Sequence, residues 1–233
     1  MFFDLILNLL FPRRCPICDE PVRSGEGLAC TTCLSHVAYL ADPTCLKCGK
    51  KIKDDSEFCE DCAGRSHYFD RGMALFEYKC IADAVFRFKY QGRQEYAEFF
   101  GTEISNKLGA DILALKPDCF IPVPIHKKRL RNRGYNQATE LAKVISRHLQ
   151  IPMDDKLISR VQETAPLKNL NLKERQNNLK KAFKIISNDV KLKRVIIIDD
   201  IFTTGSTIDA MAEELRLVGV SKIYFVALSI GKY

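Results

Sequence analysis

Long apolar runs are missing from this 233-residue chain. No stretch approaches the roughly 18 consecutive apolar residues that a membrane span needs, which excludes a transmembrane reading of the sequence. The opening residues 1–10, MFFDLILNLL, carry no positive leader and no small-residue cleavage site, so a secretory signal is not expected. They read as a short amphipathic helix ended by Phe11-Pro12, either docked on the chain's own body or presenting Phe2, Phe3, Ile6 and Leu9 to a partner. A lysine is also missing after Gly205, which excludes the nucleotide loop G-x-x-x-x-G-K-[ST]. What remains suits one α/β core plus a small accessory unit.

Cysteine, by contrast, is abundant and patterned. Eight of the ten lie in the first 62 residues as four C-x-x-C pairs, Cys15/Cys18, Cys30/Cys33, Cys45/Cys48 and Cys59/Cys62. The intervals between pairs are 11, 11 and 10 residues, so 15–33 and 45–62 form an internal repeat. Each repeat offers four thiolates at the spacing of a structural zinc site. Two structural zinc ions are therefore expected, with iron–sulfur ligation or partial zinc occupancy as the alternatives; four sulfurs leave no open position for catalysis. His36 and His67 follow the repeats and are expected to be exposed rather than ligating, and Cys119 reads as a buried strand thiol.

Charge divides the chain. Residues 1–70 hold 8 Lys/Arg against 11 Asp/Glu, and residues 71–233 hold 28 against 18. A module that gripped a nucleic-acid backbone alone would be basic, so the cysteine unit reads as a structural cap or a protein-docking surface. Basic character concentrates at 127–147, with seven Lys/Arg against Glu140, and at 173–194, with eight against Glu174 and Asp189.

The most telling segment is Val195 to Thr207. Val195 to Ile198 form a short β-branched run typical of a buried parallel strand, and Ile208 to Leu217 has helical spacing closed by Gly219. Between them lie Asp199 and Asp200 and then Thr203, Thr204, Gly205, Ser206 and Thr207. The second group places amides and hydroxyls at a helix N-terminus, which favours a phosphate. The carboxylates can accept hydrogen bonds from vicinal hydroxyls and hold hydrated Mg2+. A ribose with a 5'-phosphate satisfies both halves.

A second strand is expected at Cys119 to Pro124, running into the basic loop Lys127, Lys128, Arg129, Arg131 and Arg133, then Gly134 and a helix over Ala138 to Leu149. That loop can meet a diphosphate from the side opposite the aspartates, or track nucleic-acid phosphates with Tyr135 stacking a base. Ala74 to Tyr78 suggests another strand, followed by helices over Ala82 to Phe88 and Glu95 to Leu108; Phe76, Phe86, Phe88 and Tyr90 are expected to pack against the sheet. The polar stretch from Leu157 to Leu179 has the composition of a movable hood.

The segment 199–207 resembles the 5-phosphoribosyl 1-diphosphate loop of type I phosphoribosyltransferases. That resemblance assigns Asp199 and Asp200 to the ribose hydroxyls and Thr203 to Thr207 to the 5'-phosphate; if a transfer occurs, the position of the basic loop would set Lys128, Arg131 or Arg133 against the diphosphate. The P-V-P start at 122–124, the R-x-R-G-Y-N-Q block from Arg131 to Gln137 and the opening LLFPRRCPIC narrow it to the ComF/ComFC competence family. The match covers nearly the whole chain. It implies an N-terminal double zinc ribbon over 1–66, a phosphoribosyltransferase-like parallel sheet flanked by helices over 67–233, and a cytoplasmic protein. Its implied partners are incoming single-stranded DNA and a DNA-translocating ATPase of the uptake machinery, through which the protein would reach a membrane complex.

Against the family's hood pattern R-x-R-x-T-x-x-Q, Arg160 and Thr164 are kept while Gln162 and Leu167 depart; Arg175 and Asn178 fit R-x-x-N. No side chain announces itself as a general base, and an acceptor with its own acidic N–H needs none. Three functions stay open at this level: DNA handling with a retained phosphoribosyl pocket, an active Mg-dependent transferase, and a zinc-based scaffold.

Overall fold

The computed structural model describes residues 12–23, 25–53, 56–162, 182–187 and 190–231. The expected N-terminal helix, and the hood from residue 163 onward with Thr164, Arg175 and Asn178, fall outside them.

Four parallel strands form the central sheet: β1 (Arg71–Glu77), β2 (Cys119–Pro122), β5 (Arg194–Phe202) and β6 (Lys222–Ile230), in the order β1-β6-β5-β2. The strands β3 (Ile158–Arg160) and β4 (Phe183–Ile185) pair antiparallel beside it. Alternation along β5 sorts its residues onto two faces. Ile196 and Ile198 join a core with helices α3 (Tyr78–Tyr90), α4 (Tyr96–Ala114) and α6 (Gln137–Leu149), whereas Val195 and Ile197 pack with α7 (Ser206–Leu217). With both faces covered, β5 and β6 are nearly continuous apolar runs, as a buried parallel sheet requires.

The cysteine-rich segment does not stand apart from this core. Two short helices, α1 (Thr31–His36) and α2 (Glu60–Ala63), mark its two repeats. Cys15 and Ala29 of the first repeat join the α3/α4 face, while Cys45, Cys48 and Cys59 of the second join the α7 face. Between them the chain crosses the outer edge of β1. Tyr39 bridges Phe76 antiparallel, Leu40 N–H donates to Leu75 O at 2.8 Å, and Gly72 N–H donates to Lys47 O at 2.8 Å. An open parallel edge is a template for unwanted pairing, and the repeat closes it.

Two local expectations change. The strand expected to end at the acidic pair continues through Phe202, because β6 supplies partners as far as Phe202 opposite Ile230. The basic segment is a helix, α5 (Lys127–Arg133), and not a loop. Lysine, arginine and leucine favour helix, the His126 ring accepts from Lys128 N–H at 3.4 Å, and Gly134 closes the turn at φ 87°.

Candidate ligand cleft and metal centres

The C-terminal ends of β2 and β5 open into a cleft of about 710 Å³. Open parallel α/β sheets bind ligands at this end. Asp199, Asp200, Thr203 and Thr207 line one side; Lys89, Arg129, Arg133 and Arg160 bring four cations to it, with Tyr90, Asn132 and Asn136 between. Gly205 opens α7 with φ 78°, a conformation that glycine adopts without strain, and the Thr204 and Ser206 hydroxyls lie 3.0 Å apart beneath the turn. The first amides of α7 have no carbonyl of their own helix to meet, an arrangement that favours negative charge beside the turn.

Electrostatics sharpen the picture. Burial pushes the Asp199 carboxyl up to about 8, and neighbouring Asp200 adds to the shift; the Lys89 ammonium and the Asp200 N–H, 2.8 Å from Asp199 Oδ1, oppose it. Lys89 Nζ lies 3.0 Å from Asp200 Oδ1. Burial, followed by the nearby Arg129 charge, brings the Arg160 guanidinium down to about 10, with Asp199 opposing; it also lies over the Phe183 ring at 5.5 Å. The cleft therefore carries more positive than negative charge, which suits a polyanion that also offers hydroxyls.

The eight cysteines form two groups, Cys15/Cys18/Cys30/Cys33 and Cys45/Cys48/Cys59/Cys62, each with its sulfurs within 4.8 Å of one another. Each site is thus complete within one repeat. Zn–S bonds of about 2.3 Å in a tetrahedron give S–S edges of about 3.8 Å. The observed Cys18–Cys30 and Cys48–Cys59 separations are 3.9 and 3.6 Å. Burial hinders ionisation of Cys45, yet the amides of Cys59, Cys48 and Lys47 bring its thiol down to about 7. Its neighbour Cys62 is pushed up to about 12, by burial first and by the adjoining thiols. Four thiolates brought this close repel one another, and a bound zinc ion would offset that charge, so the donor set fits zinc.

Residues 6–63 match the double zinc ribbon domain family, and residues 136–230 match the phosphoribosyl transferase domain family. Competence protein F of Haemophilus influenzae is 30% identical over 220 residues, covering 91% of this chain and 95% of that protein. The chain belongs to the ComF/ComFC competence family. DNA utilization protein YhgH of Escherichia coli O157:H7 is 28% identical over 223 residues, covering 92% and 96%. Competence protein ComFC of Streptococcus pneumoniae is 26% identical over 212 residues, 87% of each chain. Among solved structures, purine phosphoribosyltransferase from Pyrococcus horikoshii Ot3 aligns with a TM-score of 0.35 and 23% identity, over 59% of this chain and 73% of that one.

In this ComF/ComFC protein the cleft gathers Asp199, Asp200, Thr203, Thr207, Arg129 and Arg133, while Thr204, Gly205 and Ser206 complete the turn behind Thr203. Lys127, Lys128 and Arg131 are not among the cleft-lining residues and stand exposed on α5. A helix turns about 100° per residue, so only every third or fourth residue of α5 can face the cleft, as Arg129 and Arg133 do. Tyr135 is not a stacking platform. Its ring is buried and its hydroxyl donates to Phe88 O, so the R-G-Y-N-Q block instead ties α3 to α6. Gln137 Nε2 donates to the same carbonyl at 3.1 Å, and Asn136 caps α6 while its Nδ2 holds Val123 O at 2.9 Å.

Two cleft-lining residues were not legible as such in the sequence. Lys89 and Tyr90 sit in what reads as a turn but form the last residues of α3, which the Phe88 anchor aims at the cleft. Phe76 and Phe88 are buried as expected, whereas Phe86 and Tyr90 are 52% and 61% exposed and lie ring to ring at 5.2 Å. The Arg133 guanidinium covers Tyr90 at 5.1 Å. His67 also departs from expectation: its side chain is only 2% exposed and lies against Asp209. Cys119 is a buried strand thiol, as expected. Among the described residues no helix is long and apolar enough to cross a membrane.

Proposed function

We propose that the cleft binds 5-phosphoribosyl 1-diphosphate and that the protein handles single-stranded DNA during natural transformation. The observation that carries the ligand assignment is the convergence, across one cleft, of the Asp199/Asp200 pair, the threonine turn and the guanidinium groups of Arg129, Arg133 and Arg160. The aspartates take the ribose hydroxyls, the 203–207 turn takes the 5'-phosphate, and the arginines face the diphosphate. Arg129 and Arg160 take the place that the sequence reading gave to Lys128 and Arg131. The carboxylate pair also suits hydrated Mg2+, which when bound neutralises part of the diphosphate charge. Calorimetry tests the assignment. Replacing both Asp199 and Asp200 by Asn is expected to weaken binding on the order of a hundredfold, the loss of two charge-assisted hydrogen bonds; unchanged affinity sinks it.

The nucleic-acid part of the proposal draws on the exposed cations Lys127, Lys128 and Arg131 and on the exposed Phe86/Tyr90 pair at the cleft mouth. A strand lying along α5 would meet phosphate contacts and then an aromatic face. The family link supports an uptake ATPase as protein partner on the cytoplasmic side, with any membrane association made through it.

Transfer activity is the second reading, favoured by the cluster of guanidinium groups opposite the acidic pair. These groups would stabilise charge as diphosphate departs from C1'. A screen for pyrophosphate release over candidate acceptors decides it.

A further inference from the structure

Asp209, in the first turn of α7, is a buried carboxylate that the cleft does not use. Its Oδ2 accepts from Arg65 Nη2 at 3.1 Å and lies 2.8 Å from His67 Nδ1, and its Oδ1 accepts from Tyr68 N–H at 3.0 Å. All three donors lie just past the second cysteine repeat. The far side of the His67 ring, Nε2, is 3.6 Å from Cys62 Sγ. Arg65 reaches further: its Nη1 donates to Thr204 O at 3.2 Å, inside the phosphate turn. His67 closes the arrangement, because a Cβ on Gly205 would come within 3.3 Å of His67 Cε1.

One continuous chain of polar contacts therefore runs from a ligand sulfur of the second ribbon to the backbone of the phosphate turn. Filling that space needs no charge, since an apolar side chain packs at lower desolvation cost. The polar bridge instead fixes orientation at both ends. It aims the ring beside the cysteine that binds metal, as outer groups around metal ligands do. It also holds the Thr204 carbonyl back, which leaves the amides of the turn directed at an anion.

We propose that zinc in the second ribbon and phosphate in the 203–207 turn are linked ligands, with Asp209 and Arg65 as the positioning residues that couple them. The inference rests on the phosphate assignment above. Linkage is reciprocal: if intact metal geometry favours the phosphate-binding form of the turn, then phosphate must retain the metal by the same factor. The first ribbon lies on the other face of the sheet and, among the described residues, shows no such bridge, so it serves as an internal control.

The experiment uses the full chain loaded with zinc and challenged with a chelator plus a thiol alkylator. Ribose 5-phosphate is the probe, present or absent, and mass spectrometry reads alkylation at each cysteine over time. Saturating ribose 5-phosphate is expected to slow modification of Cys45, Cys48, Cys59 and Cys62 about fivefold, within the usual range of coupling between sites, and to leave Cys15, Cys18, Cys30 and Cys33 unchanged. Asp209→Asn and Arg65→Ala should bind two zinc ions and lose the selective protection, and Arg65→Lys should restore part of it. Equal slowing of both ribbons indicates general stabilisation and overturns the link. So does unchanged alkylation while calorimetry shows the sugar phosphate bound. Absence of binding by calorimetry removes the phosphate assignment and the link with it. The wild-type comparison decides the matter even if Asp209→Asn fails to fold.

Discussion

Lys89 Nζ sits 3.0 Å from Asp200 Oδ1, in the cleft and beside a carboxyl, that of Asp199, whose proton is held up to about 8. The lysine therefore acts as the resident counter-ion of an acidic pair whose two members resist ionising together. This arrangement has consequences for ligand binding and for stability.

Ribose hydroxyls and hydrated Mg2+ both favour the ionised pair. Affinity for magnesium 5-phosphoribosyl 1-diphosphate should accordingly rise with pH through about 8. Lys89→Met removes a charge that lowers the Asp199 pKa, so the rise should move to higher pH. Calorimetry across pH 6.5 to about 9 reads the shift; coincident profiles for the two proteins would disprove it.

Stability has the opposite slope. The native state holds a proton on Asp199 that the unfolded chain releases near the ordinary value of 3.8, so this contribution is full below that value and is lost as pH rises through about 8. Asp199→Asn keeps a neutral side chain at every pH. Relative to that variant, the wild type should lose up to about 1.4 kcal/mol per pH unit between roughly pH 5 and 7, measured by urea unfolding.

Tyr135 and Tyr90 should separate stability from nucleic-acid binding. Tyr135→Phe removes the bond to Phe88 O and is expected to cost about 1 kcal/mol in denaturant unfolding without changing oligonucleotide affinity. Tyr90→Ala, at an exposed site, should unfold like the wild type and weaken binding of a labelled single strand by about 1–3 kcal/mol. Fluorescence anisotropy makes the comparison.

The exposed cations of α5 give a salt signature. Replacing Lys127, Lys128 and Arg131 together should lower the steepness of log K against log salt by about 2, the value for three contacts to single-stranded phosphates. A slope equal to that of the wild type would place the strand elsewhere.

Zinc removal is expected to do more than unfold a small module. The crossing at Tyr39 and Leu40 covers the free edge of β1, so stripping the metal should expose that edge and cause self-association, visible by light scattering. Metal analysis should return two zinc ions per chain before treatment.

Much of this architecture was legible in local pattern. Val195 to Ile198 announced an interior strand because β-branched runs suit a sheet covered on both faces, and Gly205 among hydroxyl residues announced a tight turn into a helix. The cysteine intervals specified two four-sulfur sites because ligand spacing is short-range geometry. Elsewhere local pattern misled. A run of cations reads as a loop because composition signals charge and not backbone, whereas His126 and Gly134 cap it as a helix. Tyr135 resembled a stacking residue because flanking arginines suggest exposure, whereas its hydroxyl belongs to Phe88 O on a helix far earlier in the chain.

The sequence by itself thus determined the parallel core, the acidic pair with its glycine turn, and the four C-x-x-C pairs, all written in neighbours along the chain. Tertiary structure alone decided that Lys89 and Arg160 complete the cleft, that the ribbons straddle the edge of β1, and that Arg65, His67 and Asp209 join the second thiol set to the 203–207 turn. The reason is physical. Periodicity and spacing report which face a residue takes, but a counter-ion or a polar bridge exists only once burial brings distant segments within hydrogen-bond reach.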